Sequence, residues 1–350
     1  MTETTSSHYG PNTYCGGAIP PLPKAPKERS RLGEDLLPFG DYAYIDPHQQ
    51  VCADAELVQH MEQKDEQFYE SDDWWWDHCH IKFMVKSAGI SLGIMLIPYS
   101  CALLMFGAVF YLSVQVAMYL EAVNFFLAII TMLCSAVLGF YLIGTVGPKL
   151  TNWLINNLVN TIGPFRSWLA NRGNRYMQNH QSELNRQTGM VSFAQGKKKP
   201  PLVAPFVEFD GYVERVVQRG GVFYRLMFVH RYTGKQFNQT SLSAIVDHQH
   251  EVRATWDMLQ RYMDVSQPLP DVPRLEPFRH LDPTTAEHDQ KTGRDPRFWR
   301  DLDLEAWKAG EGAALRKAQI DYPWDRQHCQ LTPQLGKIEM AAYRQRQEAV

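Results

Sequence analysis

Residues 88–146 read AGISLGIMLIPYSCALLMFGAVFYLSVQVAMYLEAVNFFLAIITMLCSAVLGFYLIGTV, and the only charged residue among them is Glu121. A helix that crosses a bilayer needs roughly 20 apolar residues. The block is too long for one such helix and fits two. The polar dip Tyr119–Asn124 divides it, predicting one helix over Ala88–Met118 and a second over Phe125–Val146. The first would be about 45 Å long, against a hydrocarbon core of roughly 30 Å. It must tilt or protrude, and Pro98 is placed to kink it. Helices buried in a protein core rarely run this far without a polar face, so two membrane spans are expected.

Basic residues set the expected orientation. Lys82 and Lys86 precede the first helix, and Lys149, Arg166, Arg172 and Arg175 follow the second. The intervening turn has no Lys or Arg. Both ends are therefore expected on the cytoplasmic side. Trp74, Trp75 and Trp76 fit an interfacial anchor and a cytoplasmic core equally well. Small residues (Gly89, Gly93 and Ala102; Ser135 and Gly139) offer a helix-packing seam. The expected fold class is thus a membrane α-helical hairpin of two transmembrane helices plus a small α+β cytoplasmic domain with antiparallel strands.

The rest of the chain is polar enough to pull the mean hydropathy of all 350 residues to -0.34. The formal net charge of -3 gives no general attraction to nucleic acid, and no nucleic-acid partner is expected. Six scattered cysteines without a CxxC pair do not form a disulfide framework. The polar start MTETTSSHYG lacks a signal-peptide pattern.

Residues 1–45, with the proline run Pro20–Pro26, read as a disordered tail, and 46–87 as a cytoplasmic helical segment. The hairpin occupies 88–147. Over 151–187 an apolar stripe (Leu154, Leu158, Ile162, then Phe165, Trp168, Leu169) accompanies Arg166, Arg172 and Arg175 without any acid before Glu183. That pattern suits an amphipathic helix on an anionic bilayer surface. Lys82, Lys86, Lys149, Arg166, Trp168, Arg172 and Arg175 are accordingly the expected membrane-interface residues.

Residues 203–300 read as the α+β domain. Tyr212–Val217 and Val222–Tyr232 alternate around Gly220-Gly221, a hairpin signature, and Ser241–Val265 reads as a helix. Pro268–Pro283 should be irregular, and a helical or irregular tail fills 301–350.

Catalytic signatures are missing: the chain has no Walker loop, GxGxxG, HExxH or GxSxG. Asp77-His78-Cys79-His80 sets four potential metal ligands in a row, but adjacent residues rarely converge on one ion. Asp247–Glu251 falls short in the same way. No catalytic, cofactor or metal residue is assigned. The string Arg294–Asp301 reads either as charges paired internally around Phe298-Trp299 or as a surface for an acidic partner. Arg294, Arg297, Trp299 and Arg300 are the candidate partner-binding residues.

Pro205–Asp210, Arg225–Gly234 and Arg294–Trp299 together resemble a proteobacterial family of unknown function encoded beside type VI secretion genes. The resemblance spans residues 80–300 and implies a transmembrane hairpin before a strand-rich cytoplasmic domain. It also implies an inner-membrane location and an immunity or accessory role in contact-dependent competition. The expected function is a non-enzymatic, membrane-anchored protein-interaction module, with the bilayer and a toxin or secretion component as partners. Rival readings are an oligomerising membrane-perturbing effector or pore former, and a tethered enzyme using His230, His248 or His250.

Overall fold

The computed structural model of the chain describes residues 9–26, 34–64, 76–84, 88–121, 124–145, 149, 181–195, 199–237, 242 and 244–348. Its helices are α1 (His48–Lys64), α2 (Ala88–Glu121), α3 (Phe125–Thr145), α4 (Gln249–Met263), α5 (Pro283–Thr292), α6 (Phe298–Asp301), α7 (Leu304–Ala309), α8 (Glu311–Asp321) and α9 (Met340–Glu348). Its strands are β1 (Glu34–Leu36), β2 (His80–Met84), β3 (Gln181–Asn185), β4 (Met190–Phe193), β5 (Leu202–Pro205), β6 (Phe209–Gln218), β7 (Gly221–His230) and β8 (Gln236–Phe237). Two compact units result: Met1–Val85 with Met177–Val350, and Lys86–Tyr176.

The larger unit is built on two antiparallel sheets, ordered β1-β6-β7-β8 and β2-β3-β4-β5. The β6–β7 hairpin turns where Gly220 and Gly221 take φ of +122° and +154°, angles that only glycine adopts at little cost. The sheets meet through aromatic rings: Phe193 of β4 stacks on Phe237 of β8 at 4.3 Å and meets Phe209 and Phe228 at 5.1 and 5.3 Å. Helix α4 is amphipathic and lays Trp256 across β6. A Cβ on Gly211 would lie 2.7 Å from the Trp256 ring, so the bare backbone at 211 is what lets the indole approach.

Arg186, just past β3, has a fully buried guanidinium. It donates to the carbonyls of Arg261, Tyr262, Asp264 (2.9 Å) and Gln267 (2.7 Å) at the end of α4, and pairs with Asp282 at 3.1 Å. Asp282 is also the N-cap of α5, accepting from the Thr285 N–H at 3.0 Å. Pro283 follows at the first helical position, and Gly293 ends the helix at φ +69°, so both ends of α5 are marked in the sequence.

Several expectations are revised here. The segments 9–26 and 34–45, expected as a disordered tail, carry core residues: Tyr14, Ile19, Leu22, Leu37, Phe39 and Ile45 are buried. Within the proline run, the Leu22 N–H donates to the Gln334 carbonyl at 3.0 Å. Strand β2 lies in the span expected to be helical, and it pairs with β3 in full register from His80↔Asn185 to Met84↔Gln181. The α+β body thus draws on residues well before 203. Pro273–Leu281 forms a 3-10 helix inside the expected irregular stretch. In the tail expected as helical or irregular, Gly310, with φ and ψ of -105° and -94°, separates α7 from α8.

In the smaller unit, α2 and α3 pair along a seam of small residues. Ser113 and Ala117 on α2 and Ala128 and Gly139 on α3 are buried, and a Cβ on Gly139 would touch Val109 and Phe106 at 3.6 and 3.7 Å. Asn124 starts α3 by accepting the Phe126 N–H at 3.0 Å. Among the described residues, no helix is long and apolar enough to cross a membrane. This corrects the transmembrane fold class, the two spans and the inner-membrane location expected from the sequence. Lys86, Trp74, Trp75 and residues 151–180 of the amphipathic helix expected over 151–187, with Arg166, Trp168, Arg172 and Arg175, lie outside the described residues, and the remainder of that span carries strand β3 rather than helix.

Replacing Gly211 with alanine forces a methyl group against the indole of Trp256. Urea denaturation should show a loss of about 1–3 kcal/mol, with the native circular-dichroism spectrum retained.

Candidate functional site

Among the described residues, the exterior of the hairpin is predominantly apolar. Leu104, Phe110, Leu112, Phe126, Leu133 and Phe140 are all more than half exposed, with Leu104 at 75 % and Phe126 at 76 %. Glu121, the last residue of α2, is the one charged residue in the sequences of α2 and α3. The polar hydroxyls turn back on their own helices: Ser113 to Val109 O (2.6 Å), Thr131 to Leu127 O (2.8 Å) and Ser135 to Met132 O (2.8 Å). Contiguous apolar exposure of this kind marks an interaction surface. Of the expected membrane-interface residues that are described, Lys149 is exposed, and Lys82 sits within β2 opposite Glu183.

The candidate partner-binding residues face inward for the most part. Arg294 spans Asp271 (2.6 Å) and Glu276 (2.9 Å). Trp299 is buried, and donates its backbone N–H to Glu276 (2.8 Å) and its indole N–H to Asp271 (2.9 Å). Arg300 pairs with Glu276 at 3.2 Å. Arg297 alone of the four stays at the surface, against Asp301 and Glu62, both at 3.0 Å. The string is therefore a clamp that docks α6 on Pro273–Leu281, and its charges are spent inside the fold.

Around His230, a candidate of the tethered-enzyme reading, the structure assembles partners that the sequence did not flag. Glu208 is buried; its Oε2 lies 2.9 Å from His230 Nε2, and its Oε1 accepts from Tyr343 (3.0 Å) and Gln347 (2.8 Å) of α9. His230 Nδ1 accepts the Thr233 backbone N–H at 3.2 Å, with Thr233 Oγ1 at 2.9 Å. With Nδ1 accepting, Nε2 carries the proton that binds Glu208. The hydroxyl–imidazole–carboxylate order looks like a nucleophile relay. However, the same contacts close the turn after β7 and pin α9, and neither of the two cavities described next is lined by these residues. Burial pushes the Glu208 carboxyl up, but the hydrogen bonds from His230, Gln347 and Tyr343 and the Arg344 charge outweigh it and hold Glu208 below its ordinary value.

The cavities follow the same logic. One of about 310 Å³ is lined by Asp54, Trp76, Glu251 and Arg274 among others. Burial raises both carboxyls, and the Arg274 guanidinium, 2.8 Å from Asp54, draws that one back. Glu251 is occupied in starting α1, accepting the Gln49 and Gln50 N–H groups at 2.8 and 3.2 Å, and in holding Gln319 at 2.7 Å. A more open groove of about 1090 Å³ runs past Leu37, Phe39, Arg231 and Leu331. His248 and His250 stack at 5.0 Å with their planes 14° apart, so their in-plane lone pairs run side by side and do not converge on an ion.

Elsewhere, Asp77, Cys79 and His80 bring their ligand atoms within 4.8 Å of one another. Burial, with the charges of Asp77 and Asp282, pushes the Cys79 thiol up to about 11, which makes it a poor nucleophile at neutral pH.

Glu208 supplies a pH test. Its folded-state value lies below the ordinary 4.5, so its stabilisation is complete above that pH and is lost as pH falls through the folded-state value. Acid titration followed by limited proteolysis should release α9 in the wild type. Glu208→Gln should release it already at neutral pH, losing about 1–3 kcal/mol, and show no further Glu208-dependent step in acid.

Comparison with protein families, curated proteins and solved structures finds no match.

Proposed function

We propose that the chain is a protein-interaction module that presents the predominantly apolar α2–α3 hairpin to the apolar helices of a partner protein. The observation that carries this reading is the exposure of large apolar side chains on both helices, typified by Leu104 and Phe126. Burying one such side chain contributes about 1.5–3 kcal/mol, so a few anchors suffice for a stable complex. A helix that is apolar all round is buried all round in its working state. Pairing of two hairpins would leave the outer faces bare, which favours a partner that encloses the hairpin over a second copy of the chain.

The test compares full-length wild type with the triple variant Leu104→Gln, Phe126→Gln, Leu133→Gln. Hydrogen exchange in the native complex should show α2–α3 protected in the wild type. The variant should leave the complex while the larger unit melts as before. A wild-type chain that stays monomeric, only self-associates, or gains the same protection from protein-free lipid vesicles contradicts the proposal. The narrower role in contact-dependent competition is supported only by the family resemblance. A deletion strain that survives sibling attackers as well as its parent does would rule it out.

A further inference from the structure

The segment Trp76–Ile81 reverses direction over two residues. Trp76 and Ile81 form an antiparallel bridge, and the Asp77 N–H donates to the His80 carbonyl at 3.0 Å. The reversal places positions 77 and 80 side by side, although the sequence makes them look strung out. Asp77 Oδ1 accepts the Cys79 and His80 N–H groups at 2.6 and 2.8 Å, which fixes the carboxylate over the turn. Its second oxygen, Oδ2, lies 3.0 Å from His80 Nε2. Cys79 Sγ completes the group, with His78 Nε2 at 3.1 Å from the sulfur.

We propose that this turn is a binding site for a zinc-class divalent ion, held by the Asp77 carboxylate, the Cys79 thiolate and the His80 imidazole. Around a tetrahedral ion with N and O ligands at about 2.0–2.1 Å and sulfur at about 2.3 Å, neighbouring ligand atoms stand roughly 3.3–3.6 Å apart. The three atoms already lie within 4.8 Å of one another, so loading closes the widest separation by at most about 1.5 Å. The mixed S, N and O donor set selects zinc or cobalt over magnesium or calcium, which take oxygen alone. The fourth position falls to His78 or to water.

The turn is also braced from behind, as metal sites require. Tyr262 Oη donates to the Asp77 carbonyl at 2.9 Å, and the Arg186 backbone N–H donates to the Cys79 carbonyl at 2.8 Å. Cys79 is a free cysteine, and the site is half-buried, open enough for an ion to enter. A bound ion would lock the reversal that feeds β2 into its sheet.

The experiment uses the full chain, stripped with chelator and titrated with Zn²⁺, then with Co²⁺ as a spectroscopic probe. About one equivalent of zinc should bind, unaffected by excess Mg²⁺, and cobalt should give a sulfur-to-metal charge-transfer band. Cys79→Ser should abolish that band, and both Cys79→Ser and His80→Gln should weaken zinc binding at least about tenfold. Cys329→Ser should change neither. Cys79→Ser leaves the Asp77–His80 pair and both backbone bonds to Asp77 intact, so it carries the test if His80→Gln fails to fold. Failure of the wild type to retain zinc, a band that survives Cys79→Ser, or unchanged affinity in that variant would each overturn the proposal.

Discussion

Removing the Arg186 guanidinium from water costs several kcal/mol, and the larger unit is arranged to offset that cost. Three of the four carbonyls that receive it, those of Arg261, Tyr262 and Asp264, belong to the end of α4, where the helix leaves carbonyls unpaired and its dipole is negative. Asp282 supplies the countercharge while capping α5. Burial alone would raise the Asp282 carboxyl; the Arg186 charge and the hydrogen bonds from Thr285 and Tyr9 outweigh it and hold it low. One charge therefore fixes the relative placement of β3, α4 and α5. Because the Arg186 backbone also holds Cys79, the same residue steadies the Asp77–His80 turn. Glu208, Glu276 and Glu251 repeat the device on a smaller scale, each a buried carboxylate that gathers donors from two or three separate segments.

This distribution of charge separates the two units. In the larger one, Arg186, Arg231, Arg261 and Arg279 are buried and matched by acids. The arginine string at 294–300 is largely absorbed in the same way. In the hairpin, Glu121 at the end of α2 is the one charged residue of the two helices, and large apolar groups face outward. The larger unit spends its polar chemistry on holding itself together. The hairpin has little to offer except apolar contact, and the proposed function rests on that contrast.

Local signals were legible in the sequence and long-range ones were not. Glycines at 220 and 221 announced the β6–β7 turn, and the polar dip before Asn124 marked the break between α2 and α3. What the apolar block meant was read too far: it announced two helices, but among the described residues no helix is long and apolar enough to cross a membrane. The pairing of β2 with β3 spans about a hundred residues, and no local pattern encodes it. Leu22 and Phe39 sit among prolines and glycines that suggest a tail, yet their burial depends on partners at 330–335. Spacing rules discounted Asp77–His80 because adjacent residues rarely converge on one ion; a two-residue reversal brings Asp77 and His80 side by side. Arg186 gave no signal at all, since a lone arginine after a strand looks like a surface residue.

The claim that one buried ion pair organises the larger unit is tested most directly by a double-mutant cycle on Arg186→Met and Asp282→Asn, read by urea denaturation of the full chain. The account predicts a coupling of about 2–3 kcal/mol between the two sites. Additive effects, with coupling under about 0.5 kcal/mol, would contradict it.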